Sequence, residues 1–266
     1  MLAALGRRSV GITEVFGQLG HFTADTVRAL ADVRTWGRQL FPMMRRIGVD
    51  SLPITLFIAA FTGIVLSLLA SYTVTAAVPL YFVGALVGKT TILELGPVLT
   101  GLALAGRVGA NIAAELGTMR VTEQIDALSA MGADPIRYLV LPRFLATLLL
   151  TPILTIFSDG IGVLGGWLVS TQALGINSFF YWENTREILK TWDIWVGIIK
   201  SFFFGGLIGL ISCYKGFTCG PGAEGVGRAT TVAFVTTFIS ILVSNFFLAV
   251  LLRHIYNYFL SPGAIR

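Results

Sequence analysis

Residues Glu94 to Arg143 read ELGPVLTGLALAGRVGANIAAELGTMRVTEQIDALSAMGADPIRYLVLPR. The first half of this stretch is mainly apolar, and it leads into a short charged run, Met119–Met131, which we call the polar segment. Long hydrophobic segments lie on both sides of it. A charged amphipathic helix is unstable in hydrocarbon. We therefore predict that the polar segment lies at a membrane surface, where a soluble partner protein can reach it.

The composition predicts a helical membrane protein. Of 266 residues, 55% are hydrophobic and 12% are charged, and the mean hydropathy is +0.80, whereas soluble domains carry about 25% charged residues. Several apolar runs exceed the roughly 18 residues that mark a membrane-spanning helix. We predict an all-α polytopic fold with about five transmembrane helices. Their expected positions are residues 52–72, 80–117 or 91–117, 144–170, 194–214 and 230–259.

The first fifty residues predict an interfacial region. Apolar residues within 11–33 recur on one helical face, which is typical of an amphipathic helix in the membrane interface, although a helix packed on a partner protein fits the same pattern. We assign residues 1–50 to an N-terminal interfacial amphipathic region and 51–266 to the membrane domain. Ser51 and Pro53 predict the start of its first helix. A capping box at Thr91–Glu94 and a loop over 177–193 are further predicted boundaries.

The distribution of charge predicts the orientation in the membrane. The net charge is +5 and the sequence pI is about 9.5, but no basic run is interleaved with the aromatic residues that indicate nucleic-acid binding. Arginines cluster before the first span, and Arg120, Arg137 and Arg143 lie between the second and third. Because cytoplasmic loops are enriched in Lys and Arg, we predict a cytoplasmic amino terminus and a cytoplasmic polar segment.

Polar residues interrupt the second and fourth spans. Arg107, Asn111 and Glu115 are spaced by four and therefore share one helical face. A charged group within a membrane costs roughly 2.5–3.5 kcal/mol on insertion scales, so such groups face protein or water. Two interpretations remain open: a gate whose polar partners change between two states, and a static polar contact between helices. Lys200 is predicted to extend its ammonium group to the interface.

The polar segment is the candidate coupling site. Ile125, Leu128 and Met131 form an apolar face at three-residue spacing, and Gly132 with Pro135 predicts the end of the helix. The segment is either a coupling helix seated in a groove of a cytoplasmic ATPase or an amphipathic connector on lipid. As a coupling helix, its candidate contact residues are Met119, Arg120, Glu123, Gln124, Asp126, Leu128 and Met131.

The sequence contains no catalytic or metal-binding pattern. GALVGKT at residues 84–90 resembles a P-loop, but it has one residue too few between its glycines. His21 and His254 are the only histidines and lie on different segments, so neither a metal site nor a nucleophile–base pair emerges. We predict a transporter subunit rather than an enzyme. It has no cofactor of its own, and if transport is driven by ATP, then ATP and Mg²⁺ bind to a separate ATPase subunit.

Three stretches together resemble one protein family. ELGPVLTGLALAGRVGANIAAELGTMRVTEQIDAL, MGADPIRYLVLPRF and GVGRATTVA closely resemble the MlaE/YrbE family, the permease subunits of ABC transporters associated with MCE proteins. The likeness extends over most of the chain. It implies an interfacial amino-terminal helix, a bundle of membrane-spanning helices, and a coupling helix that maps onto the polar segment.

The resemblance also implies partners and cargo. The family works as a homodimer in the bacterial inner membrane, with a cytoplasmic ATPase of the MlaF type and a periplasmic MCE-domain hexamer of the MlaD type. Phospholipid occupies a cavity at the dimer interface and moves between the inner membrane and the MCE channel. From the family's use of the first and last spans and nearby helix ends, we expect this cavity to include Phe57, Phe61, Leu68, Tyr72 and Tyr81.

Two other functions fit parts of the sequence. An ion-coupled secondary transporter would use Arg107, Glu115 and Asp159 as a proton path, although we see no clear inverted repeat of the kind that many such carriers show. A membrane anchor that holds an MCE protein and moves nothing is the third hypothesis. Lipid bound to the purified complex distinguishes a transporter from an anchor.

Overall fold

The computed structural model describes residues 17–73 and 82–260, and every regular element in those residues is helical. We number the helices α1 (17–29), α2 (Val33–Thr73), α3 (Val83–Val121), α4 (Gln124–Ala130), α5 (Ile136–Gln172), α6 (Ser178–Ile188), α7 (Thr191–Phe217) and α8 (Gly222–Ile255, continued by a π-helical turn at Tyr256–Leu260). Within the described residues, α2, α3, α5, α7 and α8 are long and apolar enough to span a membrane. The predicted all-α polytopic fold is confirmed.

The polar segment marks one end of the helical bundle, which we call the polar end. The end of α7 lies there too, because the Cys219 thiol that follows it is 3.4 Å from the Gly117 carbonyl oxygen of α3. Helix α1 packs at the same end: the ring of Phe22 lies 5.7 Å from that of Tyr214, and the Tyr214 hydroxyl donates to Gln18 Oε1 at 2.9 Å. The start of α3, helix α6 and the end of α8 form the opposite end.

Helix α2 shows that the predicted helix start at Ser51 is wrong. The helix runs from Val33 to Thr73 with Pro42 and Pro53 inside it. Ser51 is buried within the helix and its hydroxyl has no hydrogen-bond partner in the described residues, so it is not a cap. Spanning helices tolerate proline where neighbouring helices support them, and α5 packs along α2. No break in secondary structure marks residue 50, and the division there stays a prediction.

Two other predicted boundaries are also wrong. Thr91 to Glu94 do not start a helix but lie in a π-helical turn inside α3, whose start at Val83 agrees with the alternative start predicted near residue 80. The predicted loop at 177–193 contains α6, and the Asn177 side chain accepts a backbone N–H of its first turn at 2.9 Å. Tyr181 of α6 is fully buried, and its hydroxyl donates to the Val163 carbonyl oxygen at 3.0 Å. One of the aromatic residues in this stretch therefore holds a helix against α5.

Glycines allow α2 and α5 to approach closely. A Cβ atom added at Gly63 would collide with the Gly162 carbonyl oxygen, and one added at Gly165 would lie 2.6 Å from the Ala60 carbonyl oxygen. Lipid tails are as apolar as the side chains of a spanning helix, so helices in membranes associate mainly through close packing. The contact between α2 and α5 therefore depends on having glycine, which has no side chain, at these positions.

We expect Gly63→Ala to destabilise the protein by roughly 1–3 kcal/mol, the usual range for overpacking, because the new methyl group must displace the backbone of α5. Gly160→Ala is the matched control on α5, since nothing lies within 4 Å of a Cβ atom at that position. Thermal unfolding of the purified protein in lipid nanodiscs measures both effects. An equal loss in the two variants would contradict the close-packing role of Gly63.

Candidate functional site

The polar segment folds as two helical pieces rather than one helix. Helix α3 ends at Val121, and Glu123 adopts a left-handed backbone with φ of 59° before α4 begins. Helix α4 ends in a Schellman motif: Gly132 has φ of 78°, and the Ala133 N–H donates to the Leu128 carbonyl oxygen at 3.1 Å. The predicted end at Gly132 is confirmed, whereas the turn at Glu123 was not predicted.

One side of α4 packs against the bundle and the other side is exposed. Ile125 is buried, and Leu128 packs on the main hydrophobic core. Glu123, Gln124 and Asp126 are exposed. A partner that pushes on the exposed side of α4 would therefore also push on the core.

The predicted apolar face does not extend to Met131. This side chain is 78% exposed, because α4 ends at Ala130 and the turn that follows directs Met131 away from the bundle. Arg120 and Asp126 form an exposed ion pair at 2.5 Å across the turn. Met119 packs on the core from the end of α3.

The structure brings the three polar residues of the second span to one cavity. Arg107, Asn111 and Glu115 line a space of about 280 Å³ between α3 and α2. Arg46 and Asp50 of α2 line the same space. Helices α2 and α3 thus direct charged groups of both signs into one space.

The Glu115 carboxylate joins three helices. Its Oε1 lies 2.5 Å from Arg46 Nη1 of α2, and its Oε2 lies 3.3 Å from Arg143 Nη2 of α5. Arg143 is buried and also donates to the Leu139 carbonyl oxygen at 2.8 Å. A shift of α3 relative to its neighbours must stretch or exchange these two ion pairs. This geometry suits a gate, and it also suits a static contact.

The proposed proton path lacks a geometric basis. Asp159 lies sixteen residues beyond Arg143 on α5, which at 1.5 Å per residue is about 24 Å along the helix. Its carboxylate lies against Gly96 of α3, where an added Cβ atom would collide with it. The structure therefore places Asp159 far from Glu115, which Arg143 contacts.

A second cavity, which we call the α7–α8 cavity, lies at the opposite end between α3, α7 and α8. Its volume is about 730 Å³, within the range of roughly 300–1,000 Å³ typical of ligand sites. Its walls are mainly apolar, with Leu93, Val196, Phe246, Ala249, Val250 and Leu252 among the lining side chains. The charged side chains that line it are Lys89, Glu94, Lys190, Asp193, Lys200 and Arg253.

An ion pair between a buried lysine and a partly exposed glutamate forms the inner part of this cavity. Lys200 is fully buried, and its Nζ donates to Glu94 Oε1 at 2.6 Å and to the Leu93 carbonyl oxygen at 3.1 Å. That carbonyl lacks the usual helical donor because Pro97, four residues later, has no N–H. The other carboxylate oxygen of Glu94 accepts from Asn245 Nδ2 at 3.1 Å.

The prediction that Lys200 reaches the interface is wrong, because the Leu93 carbonyl and Glu94 satisfy its ammonium group inside the bundle. We did not predict the pairing of Glu94 with Lys200. The signal for it was two ionisable residues of opposite charge within predicted spans, since such residues commonly pair with one another.

The rim of the α7–α8 cavity joins the start of α7 to the end of α8. Lys190 Nζ donates to the Tyr256 hydroxyl at 3.0 Å, and the Trp192 ring lies 6.0 Å from the Tyr256 ring. The hydrogen bond to Tyr256 raises the pKa of Lys190 above its ordinary value, so this ammonium stays charged. Asp193 accepts the Lys190 backbone N–H at 3.1 Å and lies 3.9 Å from Lys89 Nζ.

The predicted lipid-contacting residues lie elsewhere. Phe57, Phe61 and Tyr72 are exposed on the outer face of α2, and Leu68 is half-buried. Tyr81 lies outside the described residues. None of the four described residues lines the α7–α8 cavity. Their predicted place in a cavity between two copies of the chain stays a prediction.

Comparison with known proteins identifies the family. Residues 40–251 match the profile of the family described as Permease MlaE. The chain belongs to the MlaE permease family. It is 40% identical over 247 residues to a probable ABC transporter permease protein of Rickettsia bellii, covering 91% of this chain and 94% of the relative. This membership and the five apolar helices make it a multi-pass membrane permease.

Two further MlaE-family relatives show how widely the similarity extends. The chain is 32% identical over 252 residues to the intermembrane phospholipid transport system permease protein MlaE of Haemophilus influenzae, covering 94% of this chain and 97% of that one. It is 36% identical over 212 residues to the chloroplastic protein TRIGALACTOSYLDIACYLGLYCEROL 1 of Arabidopsis thaliana, covering 80% and 61%. The family profile ends at residue 251, so Arg253 and Tyr256 on the cavity rim lie beyond it.

Proposed function

We propose that this permease moves phospholipid across or out of the membrane and that the α7–α8 cavity holds part of the lipid on its route. The proposal rests on the α7–α8 cavity, which combines apolar walls with charged groups inside a membrane-spanning bundle. Exposing an acyl chain to water costs about 0.8 kcal/mol per CH₂, so transfer requires an enclosed apolar route. The Haemophilus relative is named as a permease of intermembrane phospholipid transport, which supports the same cargo.

The energy for transport comes from a separate ABC-type ATPase that docks on the polar segment. Relatives in this family are described as ABC transporter permeases, and ABC permeases rely on ATPase subunits that hold the ATP and Mg²⁺. The exposed residues Glu123, Gln124 and Asp126 offer the contact, and Ile125 transmits displacement into the core. The ion pairs of Glu115 then exchange or stretch as α3 moves against α2 and α5.

The assembly that we propose is a homodimer in the inner membrane, with its amino terminus and polar segment in the cytoplasm and an MCE-domain protein on the periplasmic side. Exposed apolar side chains on α2, including Phe57, Phe61 and Tyr72, support a contact with lipid or with the second copy. The clustering of Arg120, Arg137 and Arg143 around the polar segment supports the orientation. The opposite end, with α6, would then meet the MCE protein.

We expect Ala249→Trp to remove most of the phospholipid that co-purifies with the permease, because the indole ring would fill space between α7 and α8 in the cavity. Leu242→Trp is the matched control, since this exposed α8 residue does not line the cavity. Lipid extracted from each purified complex and quantified by mass spectrometry gives the answer. Wild-type amounts of lipid in Ala249→Trp would place the lipid elsewhere, and a complex that never holds lipid would indicate an anchor.

A further inference from the structure

We propose that the rim of the α7–α8 cavity binds the phosphate of a phospholipid and selects lipids whose headgroup carries no cation. The inference rests on the proposed function and names the class of lipid that the cavity takes. Lys190 from the start of α7 and Arg253 from the end of α8 are the two groups that bind the phosphate.

The charges of the cavity divide into paired and unpaired groups. Lys200 is matched by Glu94 at 2.6 Å, and Lys89 faces Asp193 at 3.9 Å. Lys190 and Arg253 have no carboxylate within ion-pair distance in the part of the chain that the structure describes. Four cations and two carboxylates line the cavity, so the excess positive charge lies at the rim.

Both carboxylates of the cavity already face a cation, and neither is one of the rim groups. Glu94 accepts from Lys200 and Asn245 in the inner part of the cavity. Asp193 is buried and accepts the Lys190 backbone N–H while facing Lys89. The ammonium group of an ethanolamine or choline headgroup would therefore meet a rim with an excess of positive charge, whereas the phosphate ester meets two donors.

The two rim cations suit a phosphate. An arginine guanidinium binds phosphate oxygens in pairs, and a lysine ammonium acts as a point charge beside it. The Tyr256 hydroxyl holds Lys190 Nζ at 3.0 Å over the mouth. Along α7, Lys190 lies ten residues before the buried Lys200, which is about 15 Å. Apolar side chains such as Val196 and Val250 line the space between them and suit an acyl chain.

Competition binding with the purified full-length permease tests the proposal. A fluorescent phosphatidylglycerol is displaced with unlabelled phosphatidylglycerol or with phosphatidylcholine of the same acyl chains. We expect phosphatidylglycerol to compete with an apparent affinity about tenfold higher than that of phosphatidylcholine. Two partly exposed ion pairs can produce an effect of this size. In Lys190→Gln/Arg253→Gln the two lipids should compete within about twofold of each other.

Arg186→Gln is the matched control, because Arg186 is an exposed cation of α6 at the same end that does not line the cavity, and it should keep the wild-type preference. Equal competition by the two lipids in the wild type would overturn this inference and leave the proposed function intact. Failure of the permease to bind either lipid would overturn the proposed function as well. Competition by glycerol phosphate or inorganic phosphate as strong as that by the lipid would show a site for free anions and overturn the lipid assignment.

Discussion

The double variant Glu123→Arg/Asp126→Arg is expected to lose its ATPase subunit on purification, and with it ATP-dependent lipid transport. Both carboxylates are exposed, while Ile125 between them is buried, so the change alters the surface of α4 and leaves its anchor in place. Like charges brought together at an interface cost several kcal/mol, and about 1.4 kcal/mol is a tenfold loss of affinity. The lost Arg120–Asp126 pair is exposed and contributes at most about 1 kcal/mol.

The control for this experiment carries the same charge change at the other end of the bundle. Glu183→Arg/Glu187→Arg alters two exposed carboxylates on α6 and should retain the ATPase. The ATPase that co-purifies with a tagged permease is quantified for each variant by mass spectrometry. Retention of the ATPase at the wild-type level in Glu123→Arg/Asp126→Arg would show that the partner binds elsewhere and would remove the basis for the coupling role.

The second large effect is expected at the ion pair between Glu94 and the buried Lys200. Glu94→Gln should destabilise the permease by roughly 3–5 kcal/mol, the usual result of leaving one member of a buried pair without its counter-charge. Lys200 is fully buried and would keep only the Leu93 carbonyl and a neutral amide as partners. Thermal unfolding of the purified permease in lipid nanodiscs measures the loss.

The reciprocal change is expected to be milder. In Lys200→Met the unpaired group is Glu94, whose side chain is 44% exposed and can be hydrated from the cavity. The double variant Glu94→Gln/Lys200→Met should recover most of the stability lost in Glu94→Gln, because an apolar residue then replaces the buried cation. If Glu94→Gln unfolds at the wild-type temperature, or if the double variant is no more stable than Glu94→Gln, the pair does not have the structural role assigned here.

The hydrophobic runs predicted the helical class and the number of spans, but helix starts were predicted poorly. Local capping rules placed starts at Ser51 and Thr91, and both residues lie inside longer helices. These rules assume that a helix end must satisfy its own backbone groups. In a packed membrane bundle, neighbouring helices supply that support. A serine shortly before a proline therefore need not mark the start of a helix.

In the polar segment, too, some features were predictable from the sequence and others were not. Its charged side chains and the glycine at 132 were sufficient to predict an exposed element that ends there. The left-handed turn at Glu123 and the outward position of Met131 were not predictable from spacing. Both accompany the packing of Ile125 and Leu128 on the main hydrophobic core. That core contains side chains far away in sequence.

The order of residues is therefore enough to establish a multi-pass helical protein, an exposed charged element between the second and third spans, and a likeness to one permease family. Periodicity and charge are local properties, and a single span carries all the information needed to read them. The tertiary structure determines which distant charges meet: Glu115 with Arg46 and Arg143, and Glu94 with Lys200. The α7–α8 cavity exists only where three separate helices come together, so no local pattern encodes it.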